Sequence, residues 1–323
     1  NWFDPQTPRI RGMLFSTMLL GLLMASSIPE AFAERGLVFA LAYVAMQVGR
    51  SAFIWWQLPA WHPLAHNYRR MLGWVCISAL FWMAGALAEP PLRLLLWLVA
   101  VLCEYVAPML GFALPGLGRS QTRDWTIEGG HMAERCQLFV IVALGETLLA
   151  SGATLADTKA WEWQVLMALG ATFVGTLAMW WLYFGTSSKD ATEAITRADD
   201  PGRIAAYFHY VHAILIAGAV GNDLVLAHPL ALAAAPQIAI LLAGPAIYLL
   251  GSAIYKKTVY GSLPASHWVG ALLLLVLVPL SQACKLWVLG WLTTALILGV
   301  ALWDTYGSSA RKRRSAIAGM GHH

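Results

Sequence analysis

Apolar runs bounded by proline, glycine and charged residues divide the chain into ten segments, at about 12–29, 36–58, 70–88, 92–114, 131–153, 161–185, 204–227, 233–255, 266–284 and 286–306. A helix rises 1.5 Å per residue, so roughly 17–25 residues cross the hydrocarbon core of a bilayer. Every segment is long enough. The other structure that satisfies its backbone in lipid is a closed barrel, which needs strands of about ten residues with alternating polarity. These runs are continuously apolar, so they predict helices. The expected fold class is an all-α polytopic membrane protein of about ten transmembrane helices: a single helical domain over 1–306 and a basic tail over 307–323.

Charge supports the same segmentation. Lysines and arginines counted in successive loops sum to 15 in the odd-numbered regions and 4 in the even-numbered ones, with Arg50 and Arg135 inside segments. A missed or invented helix would scramble that alternation. The excess of basic residues on one side predicts a multi-pass protein of the bacterial cytoplasmic (inner) membrane with both ends of this chain in the cytoplasm. The run Arg311-Lys312-Arg313-Arg314 follows the last segment and reads as an anchor against anionic headgroups, not as a nucleic-acid contact.

Composition agrees. Of the 323 residues, 59% are hydrophobic and 12% charged, against about 25% charged in soluble domains. The net charge of +4 resides mainly in the loops. Four cysteines, Cys76, Cys103, Cys136 and Cys284, fall within or at the ends of apolar segments without CxxC spacing, and read as small buried hydrophobes. Trp55, Trp56, Trp61, Trp161, Trp163, Trp180, Trp181 and Trp303 lie near segment ends, where an indole can anchor at the interface. Asn1 is followed by a polar Asp4-Pro5-Gln6 turn and no signal peptide, so the chain is expected to lack its original start.

Ionisable residues at membrane depth are the candidate chemistry. A charge at the bilayer centre costs about 2.5–3.5 kcal/mol on insertion scales, so such residues are rare without a partner or a role. Arg50, Glu104, Glu146 and His212 fall within roughly 6 Å of the midplane of their segments, and Asp223 lies nearer the outer end of its own. His131, Glu134, Arg135 and Glu146 share one face, about 120° wide, of the fifth segment. A buried carboxylate must find a cation, find donors or take up a proton. Arg50 is the cation near this depth, which predicts an ion pair from Arg50 to Glu146, to Glu104, or to both. His209, His212 and Asp223 share a face of the seventh segment. Two histidines lack the further ligands a metal needs, so a proton relay or an interhelical hydrogen bond is expected there, with no metal and no cofactor. Gly218, Gly221, Gly244 and Gly251 are small residues that let helices approach.

The segment His131-x-x-Glu134-Arg135-x-x-Leu138-Phe139-x-Ile141-x-x-Leu144-Gly145-Glu146 resembles the central block of the bacterial low temperature requirement protein A (LtrA) family. Further matches run along nearly the whole chain. They include Asn1-Trp-Phe-Asp4-Pro5, Pro29-Glu-Ala-Phe32, Tyr43-Val-Ala-Met-Gln-Val-Gly49-Arg50 and Glu104-Tyr-Val-Ala-Pro108. Pro115-Gly-Leu-Gly118-Arg119-Ser, Asp124-Trp125, His212, Asp223 and His228-Pro229 complete the series. The resemblance implies a polytopic membrane protein linked by name to growth in the cold. Members begin with a further helix pair, so it also implies about two helices upstream of Asn1. Pro29 to Gly49 parallels Pro229 to Gly251. With that upstream pair restored, the protein would form two parallel six-helix halves, an arrangement found in secondary transporters.

Charged residues near the midplane on several helices favour a proton-linked secondary transporter or permease. Its partners would be the lipid bilayer and a proton or small solute. Glu104 and Glu146 would carry protons, Arg50 would hold an ionised carboxylate or an anion, and His212 would relay. His131, Glu134, Arg135 and Asp223 complete the candidate pathway. A structural or sensor role in adaptation to cold is one alternative. A membrane enzyme acting on a lipid-like substrate is another, but no HExxH, GxSxG, phosphate-binding glycine loop or CxxC pair is present, so an enzyme is not expected.

Overall fold

The computed structural model describes residues 6–121, 125, 129–158, 160–185, 201–219, 230, 232 and 234–320. Among the described residues there are ten α-helices: α1 Pro8–Ser27, α2 Gly36–Gln57, α3 Pro63–Leu87, α4 Pro90–Met109, α5 Gly129–Asp157, α6 Trp163–Phe184, α7 Pro201–Ala219, α8 Ala235–Tyr260, α9 Ala265–Ser281 and α10 Leu286–Met320. Eight contain stretches long and apolar enough to cross a membrane, and Ala206–Ala219 and Ala265–Ser281 are shorter apolar helices. No strand occurs among the described residues. Asp223 and the His228-Pro229 pair lie outside them. The chain divides into two units, Asn1–Trp125 and Thr126–His323.

Helix ends follow cap chemistry more closely than the positions of charges. The third helix begins at Pro63, earlier than the apolar run suggests, because Pro63 opens the first turn and the His62 ring accepts from Leu64 N–H at 3.2 Å. The fourth stops at Met109, short of 114. Gly111 N–H reaches Pro108 O at 3.0 Å and Phe112 N–H reaches Ala107 O at 2.7 Å, a Schellman cap. Gly111 supplies the left-handed φ of 62° that this cap requires, and a Cβ there would meet Ser120 O at 2.4 Å. The eighth helix continues past Lys256 to a left-handed Gly261. The tenth runs on to Met320, through the basic segment.

In the first unit, successive helices α1–α4 pack against their neighbours in sequence. Its core is aromatic: the Trp82 and Trp97 rings lie 5.2 Å apart, Tyr43 lies 4.6 Å from Trp82, and Phe39 lies 5.3 Å from Trp97. Arg93 lies in the first turn of α4 and is only 9% exposed. Its guanidinium donates to the carbonyls of Ala33 at 2.7 Å, Ala31 at 3.1 Å, Ala88 at 3.2 Å, Gly85 at 3.3 Å and Ala86 at 3.4 Å. Three of these carbonyls close the end of α3, where backbone acceptors lack helical partners and partial negative charge accumulates. Gly36 makes room for this cation, since a Cβ there would lie 2.6 Å from Arg93 Nη1.

In the second unit, α8 is the central helix and packs on α6, α7, α9 and α10. Its closest approach is to α7, where a Cβ on Gly218 would meet Tyr248 N at 2.4 Å and Gly244 O at 2.7 Å. Gly218, Gly244 and Gly251 therefore act as expected, by letting two backbones approach, and Gly221 lies outside the described residues. Around them pack Met179, Leu182, Tyr183, Phe208, Leu215 and Leu249. Many large apolar side chains face outward, among them Phe15, Met18 and Leu22 on α1 and Leu272, Leu275 and Val276 on α9, as lipid-facing surfaces require.

Two outcomes test these contacts. Arg93→Met leaves buried carbonyls without a donor, at about 1–3 kcal/mol for an unsatisfied group. It should lower the unfolding temperature in detergent, with Arg93→Lys intermediate because it has fewer donors. Gly218→Leu should also lower that temperature, overpacking costing about 1–3 kcal/mol. A change to leucine at exposed Gly12, which meets nothing within 4 Å, should leave it unchanged.

Candidate functional site

Glu104 gathers the polar groups of the first unit. It lies five residues before the end of α4, in a stretch otherwise apolar, and is partly buried. Glu104 Oε1 accepts from Ser78 Oγ at 2.8 Å and from Trp82 Nε1 at 3.0 Å, both on α3. Glu104 Oε2 accepts from the Tyr43 hydroxyl of α2. The chain continues along α2: Gln47 Nε2 donates to Tyr43 Oη at 3.2 Å, and Arg50 Nη2 donates to Gln47 Oε1 at 2.9 Å. Positions 43, 47 and 50 share one face of α2 because they are spaced by one and then two turns.

This arrangement corrects one expectation. Arg50 does not pair with Glu104. It stands seven residues beyond Tyr43, about 10 Å along the axis, and its exposed guanidinium connects to the carboxylate through Gln47 and Tyr43. Three donors instead satisfy the carboxylate, one of the solutions open to a buried acid. Glu146 belongs to the second unit, so the packing of the first unit does not bear on an Arg50–Glu146 pair.

The remaining candidates are separated within the second unit. His131 Nδ1 and Glu134 Oε2 lie 3.4 Å apart near the start of α5; both are exposed, as is Arg135. Glu146 is exposed three turns further along and has no hydrogen bond or ion pair among the described residues of its unit. His212 is buried, 2% exposed. Its Nδ1 lies 2.6 Å from Phe208 O, so Nδ1 carries the proton, because a carbonyl can only accept. Its Nε2 lies 2.7 Å from the Tyr183 hydroxyl. Tyr183 stacks on Tyr255 at 5.2 Å, and Phe208 lies 5.7 Å from the imidazole. His209 is exposed and its ring contacts Tyr210.

Three ionisable residues that the candidate set omitted are buried together in this unit. Lys256 Nζ on α8 donates to Asp304 Oδ2 on α10. His267 on α9 has Ser252 Oγ 3.0 Å from Nε2 and Ser266 Oγ 3.1 Å from Nδ1. Lys256 had been read as a loop cation because it follows the apolar run. The legible signal was Ser252 and Lys256 one turn apart, with an acid inside the last apolar segment.

Comparison with known proteins places these features in a family. The family model described as Bacterial low temperature requirement A protein (LtrA) matches residues 1–302. A relative named Uncharacterized protein RA0937, from Rhizobium meliloti (strain 1021), is 36% identical over 322 residues, spanning 97% of this chain and 78% of the relative. No solved structure matches. With ten helices among the described residues, eight of them long and apolar enough to span, and a family match over nearly its whole length, the chain is a multi-pass membrane protein that belongs to the bacterial low temperature requirement A family.

Proposed function

We propose that this protein is a proton-linked secondary transporter or permease of the bacterial cytoplasmic membrane, with Glu104 as a proton-carrying group. One observation carries the reading: a carboxylate within an apolar helix is held by hydroxyl and indole donors and connected by a hydrogen-bonded chain to the exposed Arg50. Intramembrane ionisable groups that face protein interiors are characteristic of ion and proton pathways.

The two carboxylate oxygens differ. Oε1 has two donors, one of them an indole that can only donate. Oε2 has the Tyr43 hydroxyl as its hydrogen-bond partner among the described residues. A proton added to Oε2 makes a carboxylic acid O–H, and Tyr43 then turns from donor to acceptor. Trp82 and Ser78 keep Oε1 in place through the change. Arg50, at the far end of the chain, supplies a positive charge that favours departure of the proton or arrival of an anion.

The basic residues of the odd-numbered regions support an orientation with both ends of this chain in the cytoplasm. The solute is a small molecule, and no enzymatic step is assigned. A second reading, a brace that fixes the packing of α2, α3 and α4, is favoured by the full set of donors on Glu104.

Proteoliposomes with an entrapped pH-sensitive dye distinguish the two. Pooled amino acids, sugars or organic acids should drive a proton flux through the wild-type protein. Glu104→Gln should reduce it at least about tenfold, the equivalent of losing a charge-assisted hydrogen bond of about 1.5–3 kcal/mol. Tyr43→Phe should reduce it less. A folded Glu104→Gln protein that matches wild type in flux and in cells supports the brace and rejects the proton role.

A further inference from the structure

The ionisable cluster of the second unit draws on three helices and shares no residue with the Glu104 chain. Lys256 is 3% exposed, Asp304 5% and His267 0%. Ser252 and Lys256 lie one turn apart on the same face of α8, so the hydroxyl that contacts His267 and the ammonium that contacts Asp304 project together. The ninth helix packs on α8 and α10. Among the described residues, the charged groups that face the imidazole are Lys256 from α8 and Asp304 from α10.

The partners of His267 set it apart from His212. A carbonyl holds one nitrogen of His212 in the role of donor. Both nitrogens of His267 face hydroxyls. A hydroxyl has one proton to give and two lone pairs, and it rotates to suit its partner. Ser252 and Ser266 can therefore serve either neutral tautomer, and by both accepting they can serve the imidazolium. No heavy atom needs to move between these states. The local field then decides which one is occupied. Lys256 opposes a proton on the ring and Asp304 favours it, and a closed pair largely cancels. If the ammonium is drawn away from Asp304, the balance at the ring shifts toward the carboxylate.

We propose that His267, held by Ser252 and Ser266, is a proton-binding site gated by the Lys256–Asp304 pair. With the pair closed the imidazole is neutral. When the pair opens, one proton from water bonds to the unprotonated ring nitrogen, and the serine that was donating there rotates to accept. No other bond is made or broken. The turn at 261–264 joins α8 to α9, and Lys256 lies four residues, or about 6 Å, before the end of α8. Only a short path therefore separates the site from the helix ends. The proposal does not draw on Glu104 and holds whether or not the protein transports.

The test is a titration of the full chain in lipid nanodiscs with isotope-labelled histidine, read by nitrogen chemical shifts; His267→Gln assigns the signal by difference. Lys256→Met should move the His267 titration to higher pH, by about one unit or more. Asp304→Asn should move it to lower pH or remove it from the accessible range. The double variant, Lys256→Met with Asp304→Asn, should return it toward wild type. If Lys256→Met alone does not fold, comparing Asp304→Asn with the double variant reads the same lysine repulsion, and the double variant should titrate higher. An imidazole signal that stays in place across the variants overturns the gated site and makes the cluster a packing element.

Discussion

Lipid offers no hydrogen bonds, so each polar group within a spanning helix must find its partner inside the protein. That constraint shapes both units. It explains why Arg93 is turned onto five backbone carbonyls, why Glu104 collects donors from two neighbouring helices, and why Lys256 is paired with Asp304. Each solution joins elements distant in sequence. Each also fixes which helices are neighbours, because a group left alone in hydrocarbon costs several kcal/mol.

The three solutions have different chemical consequences. Arg93 meets carbonyls, which can only accept, and a guanidinium that stays charged, so its arrangement has a single state and serves as a cap. Glu104 and His267 meet hydroxyls, which can reverse their role. Their surroundings tolerate the gain of a proton without rebuilding. His212 belongs with Arg93 in this respect, since the Phe208 carbonyl fixes one of its nitrogens as a donor. The partner of a buried ionisable side chain thus separates the groups suited to proton exchange from those suited to packing.

Much of the architecture was legible along the chain. The ten apolar runs correspond to the ten helices among the described residues, and Gly218 and Gly244 mark a close backbone contact between α7 and α8. Glu104 stood out as a carboxylate inside an apolar run. The identity of its partners was not legible, because Tyr43, Ser78 and Trp82 are ordinary residues of apolar helices until three helices bring them together. Glu104 was one of two acids expected to pair with Arg50, and position along α2 holds Arg50 two turns beyond Tyr43. Lys256 lies one residue past its apolar run for a related reason: a charge beside such a run looks like a boundary, whereas caps set the helix ends. Gly261 stops α8, beyond Lys256.

Hydrophobic pattern, charge alternation and motif order were sufficient by themselves to determine a multi-pass helical membrane protein of this family. The reason is that spanning length and backbone satisfaction are local properties of each segment. Tertiary structure alone decided which polar side chains meet. A hydrogen bond between helices depends on rotation and depth to within an ångström or so, and the 61 residues that separate Tyr43 from Glu104, or the 48 between Lys256 and Asp304, encode that alignment only through the packing of everything between them.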